Sequence, residues 1–284
     1  MLKSELDELI EESFEQAKKI CVCEKCYKEK ATPLIFPVLE QQKVILISES
    51  PYNFPPPEII ERRKFHWTKY FKQDLECFIY CELGPYLISP RSQGVPENIF
   101  DFISLIFYPL LKECETKEHG IRIFLDNVYW THMAKKSLKN IKNKDSATRK
   151  CISSLCKEFE KVLPKARLMV AATGYFCTYY IGRSLSDILY QYQAEKVMRG
   201  SLLSVSDIIE IAKGATVRGK KRELLEMSVR ALEKNKRCLV AFFPNPSPRN
   251  IPLLRCFFTR RDVSGDECSL LKILHMEIER IIHE

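Results

Sequence analysis

The sequence predicts an α/β fold, a three-layer α/β/α sandwich around a central, mainly parallel sheet of four strands. Three observations carry this. Four short runs, 43–48 (KVILIS), 121–128 (IRIFLDNV), 167–172 (RLMVAA) and 237–243 (RCLVAFF), are apolar along most of their length rather than alternating, as in strands buried on both faces. Segments of helical periodicity separate them, and strand alternating with helix means a parallel sheet with helices on its faces. Each run also ends in a polar or proline-rich loop, and open sheets of this kind bind ligands beyond the carboxyl ends of their strands.

The elements follow in order. Residues 3–20 place Leu6, Leu9, Ile10, Phe14 and Ala17 at helical spacing among charges, which predicts an amphipathic helix. The first strand, 43–48, ends in Glu49-Ser50-Pro51-Tyr52-Asn53-Phe54-Pro55-Pro56-Pro57, a loop stiffened by its prolines. Residues 58–82 are aromatic and basic and partly helical. Residues 97–114 form a core helix that Pro109 kinks. The second strand, 121–128, ends at Asp126 and Asn127. Helices are expected at 146–163 and 175–188, flanking the third strand. The last strand runs into Pro244-Asn245-Pro246-Ser247-Pro248. No internal repeat is present. The chain is read as a single domain over 1–284, with insertions near 58–94 and 186–236.

Composition excludes several classes. With 45% hydrophobic and 29% charged residues, the chain is foldable rather than disordered. No apolar run reaches the roughly 20 residues that span a bilayer, and the acidic N-terminus lacks the apolar stretch of a signal peptide. An intracellular location, cytoplasmic or nuclear, and no membrane partner are therefore expected. Twelve cysteines then belong to a reducing compartment as free thiols or metal ligands. Most have apolar neighbours and read as small core residues. Cys21, Cys23 and Cys26 crowd together and are either metal ligands or plain thiols. The net charge of +8 suits a polyanion without proving one.

Two loops carry a resemblance. Ser48-Glu49-Ser50-Pro51-Tyr52 follows the first strand and Asn245-Pro246-Ser247-Pro248 the last. Together, in this order and context, they resemble the first and last motifs of the uracil-DNA glycosylase superfamily. The iron–sulfur branch is the nearest. It opens with C-x-x-C at a similar distance before the motif proline, as Cys23-Glu24-Lys25-Cys26 stands before Pro51, and has a late cysteine placed as Cys151 is before Pro164. The resemblance covers about residues 20–255, less the two insertions. The chain departs from the pattern with Ser48 for a glycine, Thr131-His132 for the third cysteine, Asn245 for a histidine and Tyr52 for a glycine.

The resemblance implies a monofunctional DNA glycosylase of base excision repair that flips uracil out of DNA, single strands included, and hydrolyses its N-glycosidic bond. Asn245 would stabilise charge growing on the leaving base, and Glu49, or else Asp126, would orient water. Ser50 stands where classical members carry a catalytic aspartate. Asn127 would read the uracil edge with its amide, Tyr52 would exclude a methyl group, and Phe100 would stack on the base. Ser247 and Arg249 would contact DNA, with Arg249 filling the gap the base leaves. The basic runs 62–64, 135–136 and 218–222 suit phosphate contacts, although such runs are most often solvated helix faces. Cys23, Cys26, Cys151 and His132 would hold a [4Fe–4S] cluster; structural zinc or no metal are the alternatives. Removal of another deaminated base such as hypoxanthine, and nucleic-acid binding without excision, are the rival functions.

Overall fold

The structure, a computed structural model, describes residues 3–20, 32–50, 57–62, 67–135, 144–172, 183–214, 222, 226, 229–230, 232–258 and 270–284. Helix α1 (Lys3–Ile20) precedes strand β1 (Val44–Ser48), buried along its whole length. Helix α2 (Phe71–Cys77) runs on into a π-helical stretch, Phe78–Leu83. Helix α3 (Ile99–Ile106) starts at Asn98, whose side chain accepts from the Asp101 N–H. The expected long helix breaks at Phe107, and Pro109 lies in the first turn of the short helix Tyr108–Leu111 that follows, where a proline lacking N–H costs nothing.

The second strand differs from expectation. Residues 117–127 are helix α4 (Lys117–Asn127), and strand β2 begins only at Val128 (Val128–His132). Thr116 caps α4 by accepting from the His119 N–H at 3.2 Å. Ile121, Phe124 and Leu125 are all buried, a spacing of three and four that forms a helical face. The apolar run is therefore a helix stripe, and the strand is the five residues after it.

Helix α5 (Lys144–Val162) leads to β3 (Leu168–Ala172). Helix α6 (Arg183–Met198), the two-residue strand β4 (Leu203–Ser204) and helix α7 (Val205–Gly214) follow, largely in the stretch near 186–236 that the resemblance sets apart as the second insertion. Strand β5 (Leu239–Phe243), helix α8 (Ile251–Phe258) and helix α9 (Leu270–His283) complete the chain.

The sheet has five strands in the order β2-β1-β3-β5-β4, not four. The first four are parallel, and β4 is the antiparallel addition. The expected strands 43–48, 167–172 and 237–243 are thus all present, joined by a shifted second strand. Helices pack on both faces. On one, Trp130 meets Phe36, Phe78, Phe100 and Phe124, while Phe243 meets Phe102 of α3 and Phe258 of α8. On the other, the Tyr129 hydroxyl reaches Glu158 of α5. Each such fully buried large apolar side chain contributes roughly 1.5–3 kcal/mol.

Candidate functional site

The strand register lines up four residues at the carboxyl edge. Ser48 lies opposite His132 on one side and Ala172 on the other, and Ala172 lies opposite Phe243. Cross-strand partners share a face, so the mouth of the sheet presents a serine, an imidazole, a methyl and a phenyl ring. The Ala171-Ala172 end of β3 keeps the centre of this edge low.

Two loops meet over that low centre. Past the end of β1, the Ala134 N–H donates to the Glu49 carbonyl at 2.9 Å and the Met133 N–H to that of Ser48 at 2.8 Å. The ladder thus continues beyond the strands and holds Glu49 in place. Past β5, Asn250 donates from Nδ2 to the Asn245 carbonyl at 2.8 Å, and the turn Pro248–Asn250 is closed by the Asn250 N–H on the Ser247 carbonyl at 2.9 Å. Prolines 244, 246 and 248 restrict the rest of this loop. Asn245 then reaches across the end of β3 and donates from Nδ2 to Glu49 Oε2 at 2.5 Å. Both residues are half-buried.

Beside this pair, Trp130 donates from Nε1 to Ser48 Oγ at 2.9 Å, and Ser48 Oγ lies 2.6 Å from His132 Nδ1. Burial, and secondarily the charge of Lys135, hold the His132 imidazole well below its ordinary pKa. The ring is neutral. Its Nε2 is buried and has no hydrogen-bond partner among the described residues.

The opposite side of β2 is also polar. Glu158 Oε2 accepts from the Tyr129 hydroxyl at 2.8 Å and from the Thr131 hydroxyl. Lys135 Nζ donates to Thr131 Oγ1 at 2.6 Å and lies 2.5 Å from Glu158 Oε1. That last approach is too oblique for a hydrogen bond, but the opposite charges are in contact. Lys135 and Glu158 are both fully buried. Lys135 is therefore an internal cation, not the phosphate contact that its basic run suggests.

The expected site residues divide. Glu49 and Asn245 are brought together, and Ser50 follows Glu49, half-buried. Ser247 is half-buried and Arg249 exposed on the same loop as Asn245. Phe100 stands in the aromatic wall, 6.2 Å from Trp130 and stacked on Tyr86 at 5.4 Å. Asn127 and Asp126 are elsewhere. They end α4 at the amino edge of β2, about 13 Å along the strand from His132 at the usual rise per residue. Asn127 donates to the Ile123 carbonyl at 2.8 Å, and Asp126 accepts from Gln41 at 3.3 Å and pairs with Arg122 at 3.6 Å. Neither can read a base or orient water at the carboxyl edge. The residue that ends the second strand is His132, which the misplaced strand boundary concealed. Trp130, inside that strand, was missed for the same reason, and Ser48, at the end of the correctly placed first strand, was noted only as a departure from the motif.

Cys23, Cys26 and Tyr52 lie outside the described residues. Cys151 is buried in α5 and its Sγ accepts from the Lys135 N–H at 3.5 Å. His132 instead turns to the other face of β2, onto Ser48, so it does not join Cys151 as a ligand. Among the described residues, no three His, Cys, Asp or Glu side chains are grouped to hold a metal ion. Among the same residues, no helix is long and apolar enough to cross a membrane. No family model, curated protein or solved structure matches the chain.

Proposed function

We propose that this protein is a monofunctional DNA glycosylase that hydrolyses the N-glycosidic bond of a deaminated base, uracil first. The observation that carries the reading is the Asn245–Glu49 hydrogen bond. It joins the two motif-like loops over the carboxyl edge of a parallel sheet, where this class of fold places its ligand. The architecture is read as a three-layer α/β/α sandwich with the fifth strand appended by the insertion.

The chemistry follows from the pair. A carboxylate accepting from one Asn245 N–H fixes the plane of the amide and leaves its second N–H for the base. As the glycosidic bond lengthens, negative charge gathers on a base carbonyl oxygen, and a donor held in advance favours that state over the ground state. The Glu49 carboxylate, on the same side, offsets the cationic sugar and orients the attacking water. Phe100 supplies an aromatic face at the wall, and exposed Arg249 meets the strand. No step requires a cluster, and the described residues do not assemble the cysteine–histidine set that the resemblance implies.

Release of free base from a single-stranded oligonucleotide carrying one uracil tests the reading. Wild type is expected to release it, and Asn245→Ala to slow the single-turnover step by roughly 10²–10³-fold, the usual worth of one such donor. Wild type that binds the strand and leaves every base attached would instead make the protein a nucleic-acid binder.

A further inference from the structure

The Trp130–Ser48–His132 chain assigns its own protons. Indole Nε1 can only donate, so Ser48 Oγ accepts from Trp130. Ser48 is buried, and its one hydroxyl proton has an acceptor within reach, His132 Nδ1 at 2.6 Å. If Nδ1 carried the proton instead, the serine hydrogen would be left without an acceptor among the described residues. The imidazole is therefore the tautomer with its proton on Nε2. That N–H is buried and unpartnered among the described residues, at the same carboxyl edge as the Asn245–Glu49 pair. A donor left this way is destabilising, and such groups in a folded protein call for a reason.

Resting on the base-excision reading above, we propose that His132 selects the base: its fixed Nε2–H donates to an exocyclic oxygen and refuses an exocyclic amino group. An oxo base offers an acceptor there; an amino base offers a second donor, and two donors facing each other leave both unpaired. The substrate class is then the products of hydrolytic deamination, in which an amino group has become an oxo group, whether the ring is a pyrimidine or a purine. This differs from reading by an asparagine, whose amide carries both a donor and an acceptor and therefore matches the uracil N3–H and O4 together. Thymine shares the oxygen with uracil and adds a methyl, and guanine shares it with hypoxanthine and adds an amino group at C2, so both must be excluded by shape; His132 decides oxo against amino at the one position it faces. Because Nε2 is shielded from water, the discrimination is made in a medium where an unpaired donor is most costly.

Uracil, hypoxanthine, cytosine and adenine, placed in turn at one position of a single-stranded oligonucleotide, provide the test by single-turnover release. Wild type is expected to release both oxo bases and neither amino base. His132→Gln, whose amide can turn either its oxygen or its nitrogen to the base, is expected to lower the uracil-over-cytosine ratio by about tenfold or more. Ser48→Ala retains the imidazole but frees its tautomer, and is expected to lower the same ratio, which keeps the test open if His132→Gln folds poorly. Excision by wild type with the ratio unchanged in both variants overturns the role of His132 and leaves the glycosylase standing. Wild type that releases no base overturns the glycosylase reading, and this proposal with it.

Discussion

The two sides of β2 are equally buried and equally polar, yet they are finished differently. Behind the strand, Tyr129, Thr131 and Lys135 surround Glu158: both hydroxyls donate to Oε2, and Oε1 meets the Lys135 charge without a hydrogen bond. In front, Trp130 and Ser48 hand their donors forward to His132, and the sequence of hydrogen bonds stops at an open N–H. A buried cluster whose opposite charges meet specifies architecture. One that ends in an unused donor points at something not yet bound. Polarity and burial are alike on the two sides; the difference is that the atom left over behind the strand faces its counter-charge, whereas the His132 N–H faces no partner among the described residues.

The largest expected effect lies behind the strand. Glu158→Leu or Lys135→Met alone leaves one buried charge without its partner and should cost about 3–5 kcal/mol. The double variant removes both charges and should recover at least half of that loss, the remainder reflecting the Tyr129 and Thr131 hydroxyls left unpaired. Urea unfolding of the three variants measures this. A double variant no better than either single one would mean that the two charges do not act as a pair.

Ser48→Ala comes next. It strips Trp130 of its acceptor and His132 of its donor, with an expected cost of about 1–3 kcal/mol. Nitrogen chemical shifts of the imidazole should report protonated Nε2 in wild type and a mixture in the variant. Wild type with the proton on Nδ1 would contradict the direction of the relay.

The two sides should also fail at opposite ends of the pH scale. The His132 pKa is held below its ordinary 6.5 by burial first and by the Lys135 charge second. The unfolded chain therefore takes up the proton before the native one does, and stability falls as pH drops below about 6.5. Tyr129 is held well above its ordinary 10.0 by burial and by Glu158. The unfolded chain loses that proton first, and stability falls as pH rises above about 10. Unfolding of wild type, His132→Phe and Tyr129→Phe across pH should remove the acid slope in one variant and the alkaline slope in the other.

The smallest effect is expected at Asn127. Its side chain bonds only its own helix, so Asn127→Ala should cost about 0.5–1.5 kcal/mol and leave base release and base choice unchanged. A loss of discrimination there would return base reading to the amino edge of the strand.

Three of the parallel strands were readable from sequence because each is a compact apolar run with nothing helical about its spacing. The 121–128 run was not. Ile121, Phe124 and Leu125 serve a helix stripe as readily as a strand, and short apolar runs do not separate the two by periodicity. The decisive signal was the cap at Thr116, with VYWTH after it as the true strand. That one boundary moved the expected base reader to the wrong end of the sheet and hid His132 as a strand terminus. The Glu49–Asn245 pairing was legible only as two loops at the same edge. Their contact depends on β3 lying between them with alanines at its end, and the order of strands in a sheet is not written in any one strand. Lys135 shows the same limit. Next to Lys136 it looks like half of a surface run, and only the fold reveals that it faces Glu158.

The second insertion has a consequence for how the molecule behaves among its own copies. β4 pairs with only two residues of β5. Further along, Gln193 of α6 donates from Nε2 to the Phe242 carbonyl at 2.8 Å and accepts from the Phe242 N–H at 2.6 Å, so one side-chain amide imitates the next residue of a strand. An open strand edge is a template on which another chain can add itself. Here the insertion occupies that template, partly with backbone and partly with a glutamine. Shortening it would leave β5 with bare pairing groups, and the expected result is colloidal rather than catalytic: a protein that still folds but joins edge to edge as its concentration rises.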